Sequence, residues 1–447
     1  NASSLVTNLR VWNFTNSESA RSDMFLGATA MANQFTGTSG YGDTPGNAFF
    51  SPTLLRFTFN SVPTDGTITQ LTIPVSSGSN IDTNFDLIKW TDTYQGITNT
   101  PTYTVPNLGS GTTTVNAYIT LESGSFGRFG GDWSEGAPYL RDVSVSDNSS
   151  SWGLGGVTDM SSMFANCTNT SLTVPAYLPP TAKDISSSFL NSSFNNQLRT
   201  WDTYNVTDMN SMFSGNTFFN SNIQGWNTAN VTDMSNMFNG ATAFNNPVFF
   251  FETSNVTSME SMFQDCLLFT NNSVVAWDVS SVRNFSKMFQ GAATYDDYLR
   301  GWDTSNSTSF SNMFLNATDM ASRFSSVTGY GSTPTSSFFN QEVLVVRFEN
   351  LAQNELASIP LSGGSFGDST YGTDLVIWAL YEGNAGNNLQ FNNPFIRVTT
   401  ITAVITVTSS SYTNFGSPKS WSSDSTDTVT RVTCRNSLGS STTWGVN

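Results

Sequence analysis

Histidine is absent from this 447-residue chain. With it go the side chain that titrates nearest neutral pH, the commonest metal ligand, and every Ser-His or Cys-His nucleophile pair. An enzyme built here would have to run on carboxylates. Cysteine is nearly absent too: Cys167, Cys266 and Cys434 are too few and too scattered for a disulfide framework or a zinc site. Two of them, Cys167 and Cys266, fall three residues after a recurring Phe, where sister copies carry Ala241, Ala292 and Ala317. That is the signature of a small buried position rather than a reactive thiol. Charge is sparse at 11%, and acids outnumber bases to give a formal net charge of -16, a balance that repels nucleic acid and anionic membranes. No apolar run reaches about 18 residues, so no membrane-spanning helix is expected. The chain opens at Asn1 with neither Met nor a signal-type segment, which reads as a processed product or an excerpt.

What the chain does have is aromatic residues, 13% of the total and regularly spaced, more than a disordered chain carries. A phrase recurs: Val157-Thr-Asp-Met-Ser-Ser-Met-Phe164, then Asn205-Val-Thr-Asp-Met-Asn-Ser-Met-Phe213, Asn230-Val-Thr-Asp-Met-Ser-Asn-Met-Phe238 and Asn255-Val-Thr-Ser-Met-Glu-Ser-Met-Phe263, with weaker copies ending at Phe189, Phe289 and Phe314. The period of about 25 residues is that of leucine-rich-repeat-like solenoids. Trp201, Trp226, Trp277 and Trp302 keep the same beat, with Phe251 in the missing slot. The expected core of the repeat is Met160, Phe164, Trp201, Met209, Phe213, Trp226, Met234, Phe238, Met259, Phe263, Trp277, Phe289, Trp302 and Phe314. Val-x-x-Met followed by Met-Phe is too short for an independent helix. Each coil is therefore expected to be a short strand plus one helical or 3-10 turn, stable only when stacked.

Between about 51 and 152 the pattern changes to alternating β-branched runs, 54–59, 67–75, 85–91, 114–121 and 140–145, which predict a β-sandwich of immunoglobulin-like kind. Both patterns return. Leu9-Arg10-Val-Trp12 matches Leu299-Arg300-Gly-Trp302, and Met24-Phe25-Leu26 through Phe49-Phe50 match Met313-Phe314-Leu315 through Phe338-Phe339. Asp86 to Trp90 matches Asp374 to Trp378, and Phe129-Gly130 matches Phe415-Gly416. The expected organisation is the end of a repeat ladder plus linker (1–50), a β-sandwich (51–152), a solenoid (153–320), a linker (321–340) and a second β-sandwich (341–447). A unit of roughly 290 residues is thus present about one and a half times. The solenoid ends need caps, which a sandwich at each end would supply.

The acids of the phrase, Asp159, Asp184, Asp208 and Asp233, and those after the Trp, Asp202, Glu252, Asp278 and Asp303, would stack. The plainer reading is that each accepts backbone N–H bonds in a turn. A column of Ca²⁺ sites is the sharper one, but no Asp-x-Asp-x-Asp-Gly loop is present, so no metal or other cofactor is assigned. Periodic acids are fold residues more readily than a glycosidase pair, so no catalytic residue is assigned. Sequons are dense; those in Asn-Val-Thr are explained by an Asn ladder, whereas Asn13, Asn148, Asn169, Asn191, Asn271 and Asn316 are the candidates for glycans.

With Trp201-Asp-Thr-Tyr-Asn-Val-Thr-Asp-Met-Asn-Ser-Met-Phe213 and Phe219-Asn-Ser-Asn-Ile-Gln-Gly-Trp226 in view, the repeats resemble the BspA-like leucine-rich-repeat surface proteins, also known as the mycoplasma lipoprotein-associated repeat family. Two copies depart from the signature, with Ile185 and Phe285 in place of Met. The resemblance implies a secreted or surface-displayed protein used in adhesion or aggregation. The function expected first is a non-catalytic segment or subunit of an extracellular filament or surface appendage, partnered by copies of itself head to tail or by further tandem units. The alternatives are an adhesin for host-surface protein or glycan, with Tyr204, Phe218, Phe249 and Tyr298 as contacts, and a virion or tail-fibre component.

Overall fold

The computed structural model describes residues 54–77, 87–91, 101–120, 126–146, 152–154, 156–270, 274–275 and 277–339, and beyond them backbone strands between 343 and 444. The chain divides into two compact units, Asn1–Asn205 and Val206–Asn447. Among the described residues it is mainly β, with one short α-helix.

In the first unit eight strands precede the repeats: β1 (Leu55–Pro63), β2 (Gln70–Thr72), β3 (Val75–Ser77), β4 (Leu87–Thr91), β5 (Thr102–Thr104), β6 (Thr112–Thr120), β7 (Phe126–Phe129) and β8 (Leu140–Val145). They form an antiparallel sheet in the order β4-β6-β1-β8 and two pairs, β2 with β5 and β3 with β7. Alternation in the sequence becomes alternation of faces. Along β1, Leu55, Phe57 and Phe59 are buried while Arg56 is exposed. The strand expected over 67–75 is split because Pro74 has no N–H to give a ladder, and Val75 N instead bonds the Ile73 carbonyl at 2.9 Å. The core is aromatic: Phe57 meets Phe129 and Trp133 with centroids 6.0 and 5.6 Å apart, and Trp90 stacks on Tyr103 at 5.5 Å.

The repeat differs from the expected strand plus helical turn. In the second unit each copy touches the next through a single parallel bridge centred on the acid position: Asp208 to Asp233, Asp233 to Ser258, Ser258 to Asn284, Asn284 to Ser309. Overlapping turns follow rather than a helix. Met212 N bonds Met209 O, Ser214 N bonds Ser211 O, and Asn216 N bonds Phe213 O, at 3.2, 3.1 and 3.0 Å. Two residues per copy have positive φ: the one before the second Met (Ser211, Asn236, Ser261, Lys287, Asn312) and the one two after Phe (Gly215, Gly240, Asp265, Gly291, Asn316). A left-handed residue ends both extended strand and right-handed helix. Gly, Asn and Asp tolerate it best, which accounts for most of the small polar residues at these places.

The turns hold because successive copies satisfy each other. Met209, Ser211, Phe213 and Gly215 donate their N–H groups to the carbonyls of Asp233, Ser235, Met237 and Asn239 at 2.7–3.2 Å, and the same four positions repeat through the later copies. Two aromatic columns fill the interior. Phe213, Phe238, Phe263 and Phe289 stack at 5.5–5.7 Å, and beside them Phe219, Phe244, Phe269 and Tyr295 stack at 5.6–6.0 Å. A fully buried Phe contributes about 1.5–3 kcal/mol, and a single copy, with one face open, cannot realise that alone.

The segment expected as a linker closes the repeats of the second unit. Helix α1 (Thr318–Phe324) is followed by a loop and a 3-10 turn at Ser336–Phe339. The last copy has no successor to receive its N–H groups. Phe314 N therefore bonds Ser332 O at 2.9 Å, and Asn312 N bonds Thr333 Oγ1 at 2.9 Å. Phe339 covers Phe310 at 5.2 Å, and Phe338 meets Phe314 at 5.8 Å. In place of the expected sandwich, the cap at this end is a short polar and aromatic loop.

Beyond it lie β9 (Val343–Leu351), β10 (Leu356–Ser358), β11 (Leu361–Ser362), β12 (Leu375–Ala379), β13 (Gln390–Asn392), β14 (Thr399–Thr406), β15 (Asn414–Phe415), β16 (Val429–Arg435) and β17 (Thr442–Trp444). Their sheet order, β12-β14-β9-β16-β17, repeats β4-β6-β1-β8 with one strand added, and the pairs β10 with β13 and β11 with β15 repeat the two short pairs of the first unit. The correspondence read from residues 86–130 and 374–416 is thus also a correspondence of strand order. The expectations for residues 1–50, for Asn13, Asn148 and Asn271, and for the side chain of Cys434 lie outside the described residues.

Candidate functional site

The backbone bonds give the repeat a direction. Along the phrase each copy offers four N–H groups to its successor, against one backbone bond in the reverse sense (Thr232 N to Thr207 O at 2.9 Å), so a first copy presents unanswered carbonyls. In the first unit the β module answers them. The copies at 157–166 and 182–191 bond each other in the usual way, Met160, Ser162 and Phe164 N–H to Asp184, Ser186 and Ser188 O at 2.7–2.8 Å. On the other side Phe129 N donates to Asp159 O at 2.9 Å, Arg128 Nη2 to Ser161 O at 3.3 Å, Gly131 N to Ser162 O at 3.2 Å and Trp133 Nε1 to Met163 O at 2.8 Å. The end of β7 stands in for a preceding copy, and a parallel bridge joins Arg128 to Asp159 as one joins Asp159 to Asp184. Packing is continuous across this junction: Trp133 stacks on Phe164 at 6.4 Å, Trp152 meets both Phe129 and Trp201, and Phe164 meets Phe189 at 5.5 Å. Gly130 allows the approach. Its φ is +125°, and a Cβ there would overlap the Ser161 carbonyl oxygen and sit 2.9 Å from the Met163 nitrogen.

The repeated polar side chains serve the scaffold. Asp159, Asp184, Asp208 and Asp233 each accept, through Oδ1, the N–H two residues on, at 2.7–3.0 Å, and Asp202, Asp278 and Asp303 do the same at 3.0–3.2 Å. Among the described residues no group of three or more acids or cysteines is arranged to hold an ion. The Asn of the phrase bonds backward: Nδ2 of Asn205, Asn255 and Asn306 donates to the carbonyls of Pro180, Ala229 and Ser280 at 2.7–2.9 Å. The indoles of Trp201, Trp277 and Trp302 likewise donate to Pro175, Val248 and Val274 O at 3.0–3.2 Å.

Of the glycan candidates, Asn191 and Asn316 are exposed and left-handed, while Asn169 is partly exposed with its Oδ1 bonded to Ser171 N. The fourteen residues taken as repeat core are all buried. Cys167 and Cys266 are buried, and burial pushes both thiols up, away from the reactive thiolate. Tyr204 and Phe218 are exposed, whereas Phe249 and Tyr298 are partly buried. The Phe219 column and the two left-handed positions carry as much of the structure as the quoted phrase. Their signals were an aromatic six residues after each Phe and a Gly, Asn or Asp two after it.

One place in the second unit breaks the pattern. Tyr295 stands in the Phe column and buries a hydroxyl without a partner, and Oδ2 of Asp297, two residues on, is also buried and unpartnered. Burial pushes the Asp297 carboxyl up to about 7, despite help from the Tyr298 N–H and Arg323. An acid whose folded pKa is raised binds a proton more tightly folded than unfolded. Stability therefore falls as pH rises from near 3.8 towards 7 and stays low above it. Asp297→Asn should stabilise the chain by a few kcal/mol at pH ~8, at about 1.4 kcal/mol per tenfold change in proton affinity, and by little at pH ~4. Urea denaturation at both pH values tests this, and a gain independent of pH would refute it.

The family model described as a Mycoplasma protein of unknown function, DUF285, matches residues 139–249, 183–274 and 249–344, from the last strand of the first module through the repeats to their cap. No curated protein and no solved structure matches the chain.

Proposed function

We propose that this chain is a non-catalytic structural segment of an extracellular, repeat-built filament or surface appendage. In this reading the stacked copies are a leucine-rich-repeat-like solenoid, the immunoglobulin-like β modules are its couplers, and the partners are further tandem units or other copies of the chain. The observation that carries it is the use the repeat makes of its polar side chains. Its recurring carboxylates turn the chain, its amides and indoles tie one copy to the one before, and its thiols are buried. Side chains so engaged are positioned for building length rather than for binding a substrate. The BspA-like resemblance of the repeats supports a surface location. Electron microscopy of the native material should show filaments of uniform width, longer than a single copy of the chain. Uniform single-copy particles would sink the reading.

A further inference from the structure

Strand β8 is an edge of its sheet, in the order β4-β6-β1-β8, and its outer side is only partly paired. Just past its end Ser146 N bonds Leu54 O at 2.9 Å, so even-numbered residues here turn their main-chain groups to β1 and odd-numbered ones turn theirs outward. The segment after Leu172 takes up the first of the outward groups. Thr173 N donates to Arg141 O and Val143 N donates to Thr173 O, both at 2.9 Å, which makes one rung of a parallel ladder. The next rung would run from the N–H of residue 175 to Val143 O and from Val145 N to the carbonyl of residue 175. Residue 175 is proline, which has no N–H to give, and its carbonyl already accepts from Trp201 Nε1 at 3.0 Å. The ladder stops there. Val143 O and Val145 N–H face outward with no partner among the described residues.

Beyond the last rung the two segments part around a cavity of about 220 Å³, with Val143, Ser144 and Val145 on one wall and Pro175, Ala176 and Tyr177 on the other. The far wall is not free to swing in and close the gap. Its three carbonyls are held in turn by the indole of Trp201, the hydroxyl of Thr200 and the indole of Trp152.

We propose that this cavity binds the leading residues of an extended polypeptide, which adds to β8 as the missing parallel rung. The occupant follows from the two unmet groups. One extended residue in parallel alignment brings an N–H to Val143 O and a carbonyl to Val145 N–H, and so answers both. An antiparallel strand would set a carbonyl against Val143 N–H, which Thr173 already holds. Thr173 also fills the edge upstream, so the added strand starts at the gap. Strand alternation then sets its side chains. The first lies on the polar face where Ser144 and Thr173 both bond Asp142, and the second turns to the side of Val145, so a polar residue followed by an apolar one fits. The binding does not depend on the filament reading.

The probe is the pentapeptide Thr-Val-Thr-Val-Thr-amide, titrated into the full-length chain carrying ¹⁵N-labelled tryptophan. The indoles of Trp152 and Trp201 hold the far wall, and their signals should shift saturably as the cavity fills. Val145→Pro removes the outward N–H and leaves the bonds to β1 in place, as an edge strand allows. Pro175→Ala does the opposite and supplies an N–H to Val143 O from within the chain. Each variant should raise the Kd about tenfold or more, since each leaves one group of the peptide or of β8 without its bond. Dispersed indole signals in the free variants show that the fold is kept; if Val145→Pro loses it, Pro175→Ala decides alone. No shift in the wild type, or unchanged affinity in a folded variant, would overturn the site. Glucose shifting the same signals where the peptide does not would overturn it as well, and would give the cavity to a sugar.

Discussion

Gly130→Val should cost the first unit more than about 4 kcal/mol, the range reached only by backbone conflict, core loss or buried unpaired polar groups. Three effects add at this residue. Its φ of +125° is strained for any L side chain, at roughly 1–3 kcal/mol. A new Cβ would overlap the Ser161 carbonyl oxygen and crowd the Met163 backbone, atoms fixed by the bonds from Trp133 and to Ser186 and Ser188. Relieving the overlap means withdrawing β7, which leaves the Asp159, Ser162 and Met163 carbonyls without their donors, at about 1–3 kcal/mol for each group that stays buried. Gly127→Val is the control, since no atom lies within 4 Å of its added Cβ. Denaturant unfolding followed by tryptophan fluorescence reads the difference, because Trp133, Trp152 and Trp201 line the junction. Equal stability of the two variants would show that β7 does not hold the first copy.

What could be read from the sequence was whatever repeats with an apolar letter. Met209, Phe213 and Trp226 announce themselves because burial is the one demand every copy shares, and a 25-residue beat of large side chains has few other causes. The alternation of Leu55, Phe57 and Phe59 placed β1 for the same reason. The form of the coil was not legible. Val-x-x-Met-x-x-Met-Phe spaces its apolar residues as a helical turn would, and only the φ of Ser211 and Gly215 shows that the chain reverses hand instead. Serine and lysine are uncommon left-handed residues, so Ser211 and Lys287 gave no warning. The junction was hidden for another reason. Its donors are backbone groups of Phe129 and Gly131, one indole and one guanidinium, and side-chain pattern does not report where a main-chain N–H points. Most of the cap falls in the stretch 321–340, which reads as a linker because a single non-repeating partner has no period. Phe338 and Phe339 could be recognised only once Phe310 and Phe314 were seen to lack a successor.

Phe238→Ala should cost about 3–5 kcal/mol, the usual range for emptying a buried Phe site. The ring is fully buried, with centroids of Phe244, Phe263 and Phe213 at 4.0, 5.5 and 5.7 Å. The site cannot collapse to fill the space, because the copies are held at fixed separation by their backbone bonds: Phe238 N to Met262 O at 2.9 Å on one side, and Met237 O from Phe213 N at 2.8 Å on the other. The cavity therefore stays, and each flanking ring loses a stacking partner. Because copies interact with nearest neighbours, the damage should be local. Limited proteolysis of the variant should cut first between Phe213 and Phe263, with the β module of the first unit still protected. Phe218→Ala removes the same side chain from a position that is 52% exposed and should stay within about 0.5 kcal/mol of wild type. A loss at Phe238 no larger than that at Phe218 would mean that the aromatic column is ornament and that the backbone ladder alone sustains the stack.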